Sequence, residues 1–206
     1  KQYRYRVFAQ EVLKHTGYKI IYGSYASTDV YYRKPLTFHT CNPQAPATSF
    51  VMVNDIHGDN KLLEDLMSRC NLTQTDFVLF NGDMLSFINS EDQLFKGFMD
   101  TAVRLFASEI PMYYARGNHE TRGVFATEIQ RYFSPCQEHL YYAFRQGPVY
   151  CIVLDTGEDK PDSDIEYAGI TQYDLYRTEQ SEWLASILES TEYKEAPFKI
   201  IVAHIP

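Results

Sequence analysis

No stretch of the chain is apolar for long enough to cross a bilayer, so nothing in it reads as a transmembrane segment. Internal repeats and low-complexity tracts are also missing. The four cysteines, Cys41, Cys70, Cys136 and Cys151, show no zinc-ligand or redox-motif spacing. Cys70 falls on a helical apolar face and Cys151 in a strand-like run, so they read as buried free thiols, and cysteine usage leaves the compartment open. Basic residues are in deficit, 19 Lys and Arg against 27 Asp and Glu, for a net charge of −8. Such a surface repels polyanions and argues against a nucleic-acid binder working by phosphate neutralisation. A small phosphate ester is not excluded, because bound metal sets the local sign. No basic-then-apolar leader is present, and the chain starts at Lys1 instead of Met. It therefore reads as a processed or excised piece whose ends need not be natural.

What is present fits a folded protein. With 206 residues the chain suits one ordinary domain, or one domain and part of another. A hydrophobic share of 45% beside 22% charged residues is ordinary for a soluble globular chain. Asn71-Leu72-Thr73 fits a glycosylation acceptor, a weak match in a protein of unknown compartment.

Two regions differ in pattern. Residues 1 to about 46 show no helical period. Tyr3, Tyr5 and Val7 alternate with polar residues, and Tyr18 to Tyr22 and Val30 to Phe38 are further strand-like runs. About three antiparallel strands are expected, too few for a sandwich, with Cys41 to Pro46 as a linker. From Phe50 onward, short buried-strand runs alternate with helical periods. The strands are Phe50–Val53, Phe77–Phe80, Met112–Ala115, Leu140–Phe144, Val149–Leu154 and Lys199–Ala203. Helical spacing joins Leu62, Leu63, Leu66, Met67 and Cys70, then Leu94 through Phe106 behind the capping box Ser90-Glu91-Asp92-Gln93, then Val124 through Phe133. A last helix carries Trp183, Leu184, Ile187 and Leu188, with Thr178 expected as its cap. The alternation predicts an α/β architecture with a largely parallel central sheet, and ligands at the carboxyl ends of its strands. The long acidic connection from Asp155 to Ile170 is expected to form part of a site rim.

Chemistry-bearing residues gather at those strand ends. Asp55-Ile56-His57-Gly58-Asp59 follows the first buried strand, Asn81-Gly82-Asp83 the second, and Gly117-Asn118-His119-Glu120 the third; the last strand delivers His204. Each piece alone has a plainer reading. The first suits a turn leading into a helix, with Asp59 as the cap. The second is a common turn signal, the third a loop before a helix, and a lone strand-end His is usually structural. Four such pieces in order at four strand ends are far more specific. Carboxylate, amide and imidazole are the donors that divalent ions take. Asp55 and His57 lie two apart, so a plain strand would aim them together. Asp83 adds a carboxylate from the neighbouring strand end, and Asn118 and His204 add an amide and an imidazole from two further ones. Arg116 and Arg122 flank the third motif, and each can pair with a substrate phosphate or with a helix carboxylate. Asp159, Asp162 and Asp164 read as solvated loop charges, and His15, His39 and His139 as structural or solvated.

This ordered set resembles the calcineurin-like metallophosphoesterase superfamily over roughly residues 50 to 206. The resemblance implies an αββα sandwich of mixed sheets flanked by helices. It also implies hydrolysis of a phosphomonoester or phosphodiester at a centre of two divalent ions, Mn, Zn, Fe or Mg. Asp55, His57, Asp83, Asn118 and His204 would be the metal ligands, with Asp83 bridging and Asn118 and His204 on the second ion, a metal-bridging hydroxide the nucleophile, and His119 the group that protonates or stabilises the leaving oxygen. The first 46 residues resemble the tail of the fibronectin-like domain that precedes this catalytic domain in purple-acid-phosphatase-like bacterial proteins, which implies a periplasmic or secreted setting.

Two departures stand out. The family closes its site with a Gly-His-x-His segment after the fourth motif, and none occurs here, so an incomplete site and a longer gene product are expected. Purple acid phosphatases place a Tyr at the position of Ser86 and lack the His of the first motif, so the colourless branch is expected. Met84-Leu85-Ser86-Phe87 also departs from the Val-Asp-Arg-Gly run of protein phosphatases. The competing function is an inactive scaffold or binding module on the same fold, disfavoured by the intact ligand set. A nuclease of the same superfamily is disfavoured by the acidic balance.

Overall fold

A computed structural model describes residues 1–28, 35–133 and 138–206. Cys136 and the first part of the Val30 to Phe38 run lie outside the described residues. The chain divides into two units, Lys1–Thr40 and Cys41–Pro206.

In the first unit, β1 (Gln2–Tyr5) pairs antiparallel with β4 (Leu36–His39), and β2 (Phe8–His15) with β3 (Ile20–Ser27). There are four described strands instead of the expected three. The β2–β3 ladder is irregular between Gln10 and Lys14. Phe8, Val12, Leu13, Tyr22 and Tyr25 are exposed, so these ribbons build almost no core of their own.

The second unit is a four-layer α/β sandwich. One sheet runs β5 (Phe50–Val53), β6 (Phe77–Asn81), β7 (Met112–Ala115), all parallel. The other is mixed. Its hairpin, β8 (Tyr142–Gln146) and β9 (Val149–Val153), turns at Gly147, and β10 (Phe198–Val202) lies parallel to β9. The two sheets face each other across Phe77, Leu79, Ala115, Cys151, Val153 and Val202. Phe77 is central there, with ring centroids 5.0 Å from Phe50, 5.3 Å from Tyr113 and 5.5 Å from Phe144. The Tyr142 hydroxyl ties the layers by accepting from the Tyr114 N–H and donating to the Tyr114 carbonyl.

Helices cover both outer faces. On the β5–β7 sheet lie α1 (Asn60–Ser68) and a continuous helical run made of α2 (Glu91–Leu94), a π-helical turn Phe95–Met99, α3 (Asp100–Ala102) and a second π-helical turn Val103–Ala107. They bury Leu63, Met67, Leu94, Phe98 and Phe106 against Val78 and Phe80. The sequence period gives one long helix here; the two π turns widen it, and aromatic side chains fill its inner face. The period from Val124 to Phe133 yields only a 3₁₀ turn, Ala126–Glu128, and α4 (Gln130–Phe133). On the other sheet, α5 (Tyr173–Glu189) and α6 (Thr191–Glu195) set Trp183, Leu184 and Ile187 beside Tyr150 and Ile152. Thr178 is not the cap of α5. It lies inside the helix and donates back to the Asp174 carbonyl, while Asp162 accepts from the Tyr173 and Asp174 N–H groups at the helix start. Both sheets end in loops at one edge, where β5, β6, β7 and β10 point their carboxyl ends.

Candidate metal centre at the strand ends

The loops after β5 and β6 are stitched together by backbone bonds that continue the parallel ladder past its last residues. The Asp55, His57 and Gly58 N–H groups donate to the carbonyls of Gly82, Asp83 and Met84. That stitching forces unusual backbone. Asp55, His57 and Asp83 adopt left-handed φ angles of 56°, 50° and 54°, and Ala168 is the one other non-glycine residue to do so among the described residues. Each such residue costs on the order of 1–3 kcal/mol and is held only by surroundings that over-determine it. So Asp55 and His57 are not aimed together by a strand, as the two-residue spacing suggests. Two left-handed turns aim them instead. Asp59 also has its helix-capping role, accepting from the Leu62 N–H to start α1.

Asp83 is the focus. Its Oδ2 lies 3.3 Å from His204 Nε2, 3.8 Å from His119 Nε2 and 3.9 Å from His57 Nε2. Asp55 Oδ1 is 3.7 Å from His57 Nε2. The donors fall into two groups that share Asp83: Asp55, Asp83 and His204, and His57, Asp83 and His119. Asp83 is buried, with Oδ1 accepting from the His119 N–H. Asn118 starts the 3₁₀ turn His119–Thr121 and is nearly buried beside this cluster.

The imidazoles are oriented from behind. His204 Nδ1 lies 2.7 Å from the Asn81 carbonyl, and His119 Nδ1 lies 3.0 Å from the Ser86 carbonyl. A carbonyl only accepts, so Nδ1 carries the proton in both rings, and each Nε2 faces Asp83 with a lone pair when the ring is neutral. A lone pair set 3.3 Å from a buried carboxylate oxygen repels it unless a positive centre lies between them. Orientation of a ring by a carbonyl on its far nitrogen is the arrangement that metal-ligating histidines use. The donor set therefore fits divalent ions. With three His or carboxylate donors in each group, room is left for Asn118 and water.

Glu120 holds the scaffold. Fully buried, its carboxylate accepts N–H bonds from Asp83, Leu85 and Gly117, which ties the β6 loop to the β7 loop. Burial pushes its carboxyl above the ordinary range, against the pull of those bonds. Glu120 belongs to the third motif, but nothing in the local sequence marks this task. The loops also need glycine. A Cβ on Gly117 would lie 2.2 Å from Asp83 Oδ1, and one on Gly82, at φ +81°, would meet the Gly117 Cα at 2.7 Å.

The two arginines separate. Arg116 is committed to structure. It forms a two-point pair with the fully buried Asp155, Nε to Oδ1 at 3.1 Å and NH2 to Oδ2 at 2.8 Å, and Tyr176 donates to the same carboxylate. Burial alone would lower the Arg116 guanidinium, but the Asp155 charge keeps it above its ordinary value. Arg122 instead lines a cleft of about 500 Å³ together with Asn118, His119, Glu158, Lys160 and Tyr167. Glu158 grips it from behind, with Nε and NH2 each at 3.0 Å. The connection after Asp155 thus walls a cleft that opens on His119, as a site rim would. Asp162 and Asp164 in it are anchored instead of simply solvated, Asp164 accepting from the Glu166 N–H to start the 3₁₀ turn Ile165–Tyr167. A smaller cleft, about 330 Å³, lies on the other side, against His57, Leu85, Ser86 and Phe87.

The family model for calcineurin-like phosphoesterases matches residues 48–206, most of the chain. The chain belongs to that family. Among solved structures it is similar to a purple acid phosphatase from yellow lupin (Lupinus luteus) seeds, at 18% identity and a TM-score of 0.59. The match covers 88% of this chain and 34% of that one, so the chain spans about a third of the length of that enzyme. At this identity the likeness speaks for the fold. No curated protein matches the chain.

Proposed function

We propose that the protein hydrolyses phosphoric esters at a dinuclear metal centre held by Asp55, His57, Asp83, Asn118 and His204, with Asp83 shared. The observation that carries this reading is the convergence on one buried carboxylate oxygen of three imidazole nitrogens from three separate loops. Two divalent ions, when bound, would activate water as the nucleophile and draw charge from the phosphoryl oxygens. The chain's own residues supply the rest. Asp83 and Asp55 bring the negative charge that holds cations in place. The carbonyl of Asn81 fixes His204, and the Ser86 hydroxyl lies 3.3 Å from His57 Nδ1. His119, proton-bearing at Nδ1 and edge-on to His57 at 4.9 Å, lines the larger cleft and keeps Nε2 on the Asp83 side. As imidazolium it gives its Nε2 proton to the leaving oxygen, while the Nδ1 proton stays on the Ser86 carbonyl. Arg122, pre-set by Glu158, meets a phosphoryl oxygen at the cleft mouth.

Turnover of chromogenic phosphate monoesters and diesters by the whole protein, supplied in turn with Mn, Zn, Fe and Mg, tests the reading. Hydrolysis that requires metal and is lost in His119→Ala is expected. No turnover with any metal would overturn it in favour of a binding module on the same fold.

A further inference from the structure

The larger cleft says what kind of alcohol leaves. Its cations are all paired within its own walls, with one carboxylate in excess. The Lys160 ammonium lies 3.1 Å from Asp159 and 3.2 Å from Glu166. Arg122 is held at two points by Glu158, which also accepts from the Thr121 hydroxyl. The Tyr167 hydroxyl lies 3.4 Å from Glu158 and 3.3 Å from Asp159 and receives the Lys160 N–H. Asp159 and Glu166 remain open to solvent, with about half of each side chain exposed (42% and 64%), and Lys160 is 31% exposed. The wall therefore presents alternating acceptors and donors, and three carboxylates face two cations.

Three leaving-group classes fit this wall badly. A second phosphate would meet those three carboxylates. An alkyl chain would cover charged heads without replacing their hydrogen bonds, which is costly. A flat aromatic group finds, besides the His119 imidazole, one ring in the lining to stack on, that of Tyr167. A group bearing several hydroxyls both donates to Asp159 and Glu166 and accepts from Lys160 and Arg122. About 500 Å³ holds a group of monosaccharide size.

Resting on the hydrolase reading above, we infer that the cleft beside His119 takes a neutral, hydroxyl-rich leaving group, so that the substrates are phosphate esters of sugars or polyols. The hydroxyls dock against Asp159, Lys160, Glu166 and Tyr167 and bring the ester oxygen to His119. Water attacks phosphorus, the P–O bond to the polyol breaks, and the alkoxide takes its proton from His119 Nε2, leaving inorganic phosphate and the free polyol.

The test compares two six-carbon esters, sorbitol 6-phosphate and n-hexyl phosphate, in the metal-loaded whole protein. A kcat/KM ratio of at least about tenfold in favour of sorbitol 6-phosphate is expected, because a site built for hydroxyls rejects the analogue lacking them. That ratio should fall toward one in Lys160→Ala and in Glu166→Gln; read within each variant, it is insensitive to a partial loss of folded protein. A ratio near one in wild type, or a preference that survives both substitutions, would overturn the inference while leaving the hydrolase reading intact. So would faster turnover of phosphoethanolamine or of ADP. If no ester turns over at all, the hydrolase reading fails, and saturation-transfer NMR still decides the cleft. Contacts to the sorbitol protons that vanish in Lys160→Ala support it, and their absence in wild type overturns it.

Discussion

Asp83 carries more of the site than any other residue, because both candidate donor groups pass through it. Asp83→Asn keeps the shape and removes the charge. Metal content by elemental analysis should fall from two ions per chain to fewer than one, and ester hydrolysis should fall by roughly 10³-fold or more. Retention of both ions would show that the carboxylate is not shared. Glu120 acts through the backbone. Its loss leaves three buried N–H groups without an acceptor. At about 1–3 kcal/mol for each, Glu120→Ala should cost at least about 3 kcal/mol of unfolding free energy, measured by urea titration. These two residues also mark what is readable at this scale. Asp83 follows a buried strand in a motif of metal-binding type, so its chemistry is visible in the sequence. Glu120 works by accepting from partners 35 and 37 positions away in the chain, which no local pattern reveals. Arg116 and Arg122 are alike in sequence context and differ because of Asp155 and Glu158, which arrive from a later loop.

Elements place these side chains by their ends. The continuous apolar runs of β5, β6 and β7 require cover on both faces, so parallel strands between helices could be read directly. The loops beyond them could not. Their geometry comes from backbone bonds between the β5 and β6 loops and from left-handed turns at non-glycine residues, which propensity argues against. The closeness of the β6 and β7 loops makes Gly117 indispensable. Gly117→Ala would press a methyl into Asp83, so metal affinity should drop by about 10- to 100-fold, as when the support of a ligand is disturbed. Isothermal titration with Mn measures it, and unchanged affinity would mean that the loops can separate without harm. Helix limits are less legible in the sequence. The α5 cap comes from Asp162, across a loop, so the local candidate Thr178 was misleading.

At the scale of the molecule, the sequence shows two patterns and the structure two units. Among the described residues, Cys41–Pro206 has three hydrophobic clusters layered across two sheets, whereas Lys1–Thr40 leaves most of its apolar side chains exposed. An isolated pair of two-stranded ribbons is marginal in water. A peptide of residues 1–40 should therefore show no cooperative thermal transition by circular dichroism, while residues 41–206 should show one. A sharp transition in the peptide would reveal a core that its exposed strands do not display.

A pair of cations sharing Asp83 would be seen by anomalous diffraction from crystals grown with Mn. Two peaks about 3.5–4 Å apart are predicted, both within coordination distance of Asp83, one toward Asp55 and His204 and the other toward His57. A single peak, or peaks that leave Asp83 outside both coordination spheres, would contradict it.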